Sequence, residues 1–162
     1  MSELDKSSAY NKVYEEAKQI FTAYMQQKNL RKTPERYAIL EVIYNAVGHF
    51  DVEKLYVIMK NKNYRVSRAT VYNTPDLLVE CGLVTKHQLG QNMAQFEKCY
   101  GFKQHDHLLC QVCNKVLEFC DPRIQNIKKM VEEVHDFQIN HHTLQFYGVC
   151  NDEKCEGKKN KA

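Results

Sequence analysis

The chain has 162 residues, 43% of them hydrophobic and 27% charged, enough for one domain with a good core or for two small ones. No apolar run approaches the ~20 residues of a membrane-spanning helix and no apolar leader opens the sequence, so a membrane partner is excluded and a cytoplasmic, reducing setting is expected. The net charge of +3 is too small to name a partner, but it is unevenly spread: residues 1–98 hold 14 Lys/Arg against 11 Asp/Glu, and residues 99–162 hold nine of each.

Residues 9–28 are predicted helical, with Ser7 or Ser8 as cap and Val13, Ala17, Ile20, Phe21 and Tyr24 at helical spacing. A second helix opens on Thr33 as N-cap, with Pro34 at the first helical position, and runs to near Gly48. Asp51 caps a third helix with Val52, Leu55, Tyr56, Ile58 and Met59 as its apolar face. Ser67 caps a fourth over 68–81, closed by Gly82. Pro75 falls about two turns into that helix, where the missing N–H costs ~3 kcal/mol or kinks it. Residues 83–89 and 93–97 are β-like around Gly90-Gln91-Asn92.

Helices followed by a hairpin, in this order, are the plan of a winged helix-turn-helix, in which the second helix of the turn motif reads the major groove. That places Arg68, Thr70, Tyr72 and Asn73 at DNA, Tyr72 at base edges, while Arg31 in the Lys28 to Lys32 cluster is expected beside or in the minor groove. A plain solvated helix face is the competing explanation for each cluster, and the flanking basic loop and hairpin favour DNA.

From about Tyr100 the pattern changes. A metal-ligand stretch leads into a strand over 115–119, a helix over 122–134 and alternating strand over 136–150. The expected fold class is therefore α+β, a winged-helix domain over 1–98 followed by a small α/β domain over 99–162. The second domain would leave a sheet edge open, and pairing that edge with a second copy gives a homodimer with two DNA readers.

His105 and His107 are two apart and share one face if residues 106–109 are extended. Cys110 and Cys113 have the spacing of a metal knuckle, and Asn114 suits its tight turn. Cys150 and Cys155 can complete a tetrahedral zinc site. Disulfides or a redox Cys-x-x-Cys remain the alternatives. Cys81, Cys99 and Cys120 are left over as ordinary thiols.

The segments Thr33-Pro34-Glu35-Arg36, Ala69-Thr70-Val71-Tyr72, His105 to Cys113, Val116 to Phe119, and Tyr147-Gly148-Val149-Cys150 with Cys155 resemble the ferric uptake regulator family of metal-dependent bacterial repressors. The resemblance spans almost the whole chain. It implies a homodimer binding double-stranded operator DNA and a structural Zn2+ on Cys110, Cys113, Cys150 and Cys155. It also implies a regulatory metal at the domain junction on His49, Glu97, His105, His107 and Glu118. Imidazoles and carboxylates suit Fe2+, with Zn2+ or Mn2+ as substitutes. A further site of the family would fall on Gln104, Asp106, Gln125 and His142, where two amides stand in place of stronger ligands and make it weak or absent. Asn73 follows Tyr72 as in peroxide-responsive members, whereas Glu97 and Glu118 stand where those members carry aspartates.

The function expected is a metal-responsive, DNA-binding transcriptional repressor, iron-responsive first and peroxide-, manganese- or zinc-responsive as alternatives. A zinc enzyme is the competing class, but no motif supplies its general base, so neither an enzyme nor a small-molecule substrate is expected.

Overall fold

The computed structural model describes residues 3–46, 48–88 and 94–155, with side chains from residue 10 onward. Among these residues it has five helices and five strands and divides into two compact units, 1–103 and 104–162.

The first unit holds α1 (Glu3–Gln27), α2 (Pro34–Asn45), α3 (Val52–Asn61), α4 (Arg68–Glu80), β1 (Val84–His87) and β2 (Gln95–Lys98). Ala17, Phe21 and Met25, each one helical turn apart, form the fully buried stripe of α1. They meet Ile39, Leu40, Ile43 and Tyr44 of α2, with Leu55 and Met59 of α3 and Val71 and Leu78 of α4 in the same core. Burial of such side chains, at about 1.5–3 kcal/mol each, is what holds short helices that would be marginal in isolation. Tyr100 and Phe102 belong to this unit: Tyr100 packs on the core and the Phe102 ring meets Tyr44 edge-on at 6.2 Å.

Asp51 caps α3 by accepting the Lys54 N–H at 2.7 Å, and Ser67 caps α4 by accepting that of Thr70 at 3.1 Å. Thr33 occupies the N-cap of α2 with extended backbone and Pro34 behind it, but its side chain makes no capping bond. The start expected for α1 is corrected: the helix begins at Glu3, so Ser7 and Ser8 lie inside it rather than capping it. Glu3, Leu4 and Lys6 are good helix formers, and serine costs an extending helix only a few tenths of a kcal/mol. Pro75 does not end α4, which runs through it. The pyrrolidine ring is buried, and the Thr74 hydroxyl turns back to the Thr70 carbonyl at 2.7 Å.

Strands β1 and β2 pair antiparallel, Val84 with Lys98 and Thr85 with Glu97. They are shorter than the expected 83–89 and 93–97, and the expected turn at Gly90 to Asn92 lies outside the described residues. Helices followed by this hairpin make the first unit a winged helix-turn-helix.

The second unit holds β3 (Asp106–Cys110), β4 (Val116–Phe119), α5 (Pro122–His135) and β5 (Gln145–Gly148), with strand order β4-β3-β5. Strand β4 is antiparallel to β3 and β5 is parallel to it. The long strand expected over 136–150 is therefore corrected to Gln145–Gly148. A strand forms only where a partner offers its ladder, and β3 is five residues long. Upstream, Asp136 turns with φ 47° and the Ile139 N–H is taken by Glu132 Oε1 at 2.8 Å. The fold class is α+β. Among the described residues no helix is long and apolar enough to cross a membrane.

Candidate metal centres and nucleic-acid interface

The four cysteines expected to hold zinc converge in the second unit, with one sulfur from each lying within 4.8 Å of the others. Asn114 takes the left-handed conformation, φ 57°, and its N–H reaches the Cys110 carbonyl at 3.0 Å, which folds the Cys110–Cys113 knuckle. The parallel register of Cys110 with Gly148 brings Cys150 to the same end of the sheet. Lys115 Nζ on Asp152 at 2.7 Å and the Cys155 N–H on the Asp152 carbonyl at 2.9 Å bring up the last ligand.

Cys110 and Cys155 sulfurs are 3.6 Å apart and those of Cys113 and Cys150 3.5 Å. Disulfide sulfurs stand at about 2.05 Å, whereas four thiolates at about 2.3 Å from one tetrahedral ion are separated by roughly 3.8 Å. The arrangement fits zinc and not two disulfides, and none of the four cysteines is in a disulfide. Backbone N–H groups of Cys113, Cys150 and Val112 hold the Cys110 thiol below the ordinary range, which favours the thiolate a metal needs, while the neighbouring Cys113 thiol is held up beside it.

The expected regulatory ligands fall into two sets, one in each unit. In the first unit Phe50 and Phe96 form an isolated antiparallel bridge, exchanging N–H···O=C bonds of 3.0 and 2.7 Å, with their rings stacked at 5.9 Å. Because the bridge is antiparallel, His49 on one side falls beside Glu97 on the other. His49 Nε2 lies 3.2 Å from Glu97 Oε2. In the second unit Glu118 is the cross-strand partner of His107, the His105 and His107 rings meet edge-on at 4.9 Å, and His105 Nε2 is 3.8 Å from Glu118 Oε2. The shared face expected for the two histidines is what the structure has.

Asp106, 4% exposed, faces His142 Nε2 at 3.2 Å without hydrogen-bond geometry. The Gln104 side-chain amide donates to the His142 carbonyl at 2.6 Å, and Gln125 is exposed on α5. One carboxylate and one imidazole with two amides make a poor donor set.

Of the expected DNA contacts, Arg31, Arg68 and Asn73 are exposed and Thr70 and Tyr72 half-buried. Arg31 lends its backbone carbonyl to Arg36 at 2.6 Å and keeps its guanidinium on the surface. Arg68 pairs with Glu53 Oε2 at 3.2 Å and sits 5.0 Å over the Tyr56 ring, while the Tyr72 hydroxyl bonds Glu53 Oε1. Sequence reasoning missed Glu53, which holds both Arg68 and Tyr72 from the first turn of α3. It also missed His87, the last residue of β1, whose Nε2 is 3.7 Å from the same Glu97 oxygen. The antiparallel register sets His87 diagonal to Glu97, a relation that neither strand shows alone.

Residues 27–147 match the Ferric uptake regulator family. The ferric uptake regulation protein of Campylobacter jejuni is 33% identical over 143 residues, 87% of this chain and 89% of that protein. The peroxide operon regulator of Bacillus subtilis is 32% identical over 136 residues, 84% of this chain and 91% of that protein. Among solved structures, the ferric uptake regulator of Pseudomonas aeruginosa with manganese superposes with a TM-score of 0.70 at 26% identity, over 81% of this chain and 98% of that one. A winged helix-turn-helix followed by an α/β unit in which four cysteines converge is thus matched in sequence and in fold, and the chain belongs to the ferric uptake regulator family of metal-responsive transcriptional regulators.

Proposed function

We propose that the protein is an iron-responsive repressor that binds operator DNA as a homodimer. What supports this reading above all is that each unit carries an incomplete donor set, His49 with Glu97 in one and His105, His107 and Glu118 in the other. One Fe2+ taken by both sets, or Mn2+ or Zn2+ in its place, would supply a link between the units. A ligand shifts a conformational equilibrium only through its differential affinity for the two states, and donors split between two units create that difference. The chain's own residues do the rest. Phe50 and Phe96 hold His49 against Glu97, the β3–β4 register holds Glu118 opposite His107, and Glu53 orients Arg68 and Tyr72. Zn2+ on Cys110, Cys113, Cys150 and Cys155 would be structural and permanent.

The homodimer is supported by the second unit's exterior. Strand β5 lies at a sheet edge, and no described side chain of α5 is buried, although Ile127, Met130 and Val134 are 55%, 58% and 70% exposed. Phe137, Phe146 and Tyr147 extend the apolar surface. A face of this kind marks an interface, and a second copy also supplies the second half-site reader. Arg31, Arg68, Thr70, Tyr72 and Asn73 carry the DNA contact.

Asn73 favours a second reading, a peroxide-responsive regulator, against which Glu97 and Glu118 stand. Operator binding measured with Fe2+, Mn2+, Zn2+ or chelator tests the proposal. Iron should restore tight binding to the chelated protein, and release of DNA from the iron-loaded protein on adding hydrogen peroxide would favour the second reading.

A further inference from the structure

We infer that His87 is a third metal donor of the winged-helix unit, so that this unit alone offers two imidazoles and a carboxylate to one divalent ion and holds it before the second unit's donors engage. The inference rests on the proposed reading that His49 and Glu97 bind the regulatory metal. Its observation is independent of that reading: Glu97 Oε2 faces two imidazole nitrogens at once, His49 Nε2 at 3.2 Å and His87 Nε2 at 3.7 Å.

Donor atoms about 2.0–2.2 Å from a common ion stand roughly 3.0–3.5 Å from one another, so His49 is already at coordination spacing and His87 is a few tenths of an ångström from it. A charge-assisted hydrogen bond would be about 2.7–2.9 Å, and 3.7 Å is too long for any. The two rings meet edge-on with centroids 5.7 Å apart, and the side chains are 11%, 8% and 13% exposed for His49, His87 and Glu97. Glu97 and the two imidazoles that face it thus lie out of bulk water, on elements already fixed by the hairpin register and the Phe50–Phe96 bridge. Two histidines and one carboxylate with further positions open suit a first-row ion such as Fe2+, Mn2+ or Co2+.

The consequence is an order of events. The winged-helix unit captures the ion through His49, His87 and Glu97, and His105 and His107 then fill positions left open.

Cobalt is the probe, added to the full-length protein with zinc kept on its cysteines and followed by visible absorption against a competing chelator. A His105→Ala/His107→Ala variant should still bind one Co2+ per chain beyond the zinc. Adding His87→Phe, which keeps an aromatic ring but no donor, should weaken that binding by at least about 10-fold. His87→Cys in the otherwise intact chain should add a sulfur-to-cobalt charge-transfer band in the near ultraviolet, a signal that packing alone cannot produce. No Co2+ bound by the double variant would overturn the inference. So would an unchanged affinity in His87→Phe together with no new band in His87→Cys. If His49→Ala weakens binding while both His87 variants behave as wild type, only the inference fails. If His49→Ala also leaves binding unchanged, the proposed regulatory site fails with it.

Discussion

Replacing Phe96 by leucine should damage the metal site without touching a ligand. Phe96 is 3% exposed, stacks on Phe50 at 5.9 Å, and exchanges two backbone hydrogen bonds with it, and this bridge holds His49 beside Glu97. Leucine keeps most of the volume, a change that costs under about 1.5 kcal/mol, but it forfeits the ring pair, worth about 0.5–1.5 kcal/mol. The expected loss of stability is about 1–2.5 kcal/mol, and for a unit of this size that lowers the melting temperature by roughly 4–20 °C. Loosening the strand that carries Glu97 should also weaken the regulatory metal by about 10-fold, the scale on which lost support behind a ligand is felt. Calorimetry gives the first number and cobalt titration the second. A Phe96→Leu protein that melts lower yet binds Co2+ as tightly as wild type would refute the claim that this bridge positions the site.

Cys110→Ser should leave less than one zinc per chain and lower solubility or melting temperature severely, because a structural zinc contributes folding energy directly; elemental analysis and thermal melting check this. Met130→Asp with Val134→Asp should shift the protein from dimer to monomer in sedimentation, since a charge buried at an apolar interface costs several kcal/mol, and an unchanged dimer would place the interface elsewhere. Arg31→Ala should weaken operator binding broadly and reduce the salt slope by about one unit for each phosphate left without its cation, whereas Tyr72→Ala should hurt the specific site more than random DNA; equal salt titrations of both variants and wild type would misplace the surface.

The helices of the first unit were legible because each carries local signals: Asp51 and Ser67 are real caps, and Ala17, Phe21 and Met25 recur one turn apart. The Cys110–Cys113 knuckle was legible too, since its spacing and the Asn114 turn are local. Local reasoning failed wherever a distant partner decides. The alternating residues upstream of Gln145 look like strand, but five residues of β3 have no ladder left for them. Ser7 and Ser8 look like caps, but the helix formers before them extend α1 to Glu3. His49 reads as an ordinary helix-flanking residue until Phe50 pairs with Phe96. His87 and Glu53 carry no motif, and only strand register and helix packing bring them to Glu97 and to Arg68 with Tyr72.

The central claim is that metal on His49, Glu97, His105, His107 and Glu118 switches DNA binding, and the comparison of His49→Ala with His142→Ala tests it most directly. Operator affinity is measured for both variants and wild type with Fe2+ and with chelator, alongside zinc content per chain. Couplings of about 1–3 kcal/mol predict a metal-dependent gain of about 5- to 150-fold in wild type. His49→Ala should lose that gain while keeping its zinc, and His142→Ala, whose neighbours Gln104 and Gln125 are poor ligands, should retain it. Equal loss of the gain in both variants, or its survival in His49→Ala, would contradict the account.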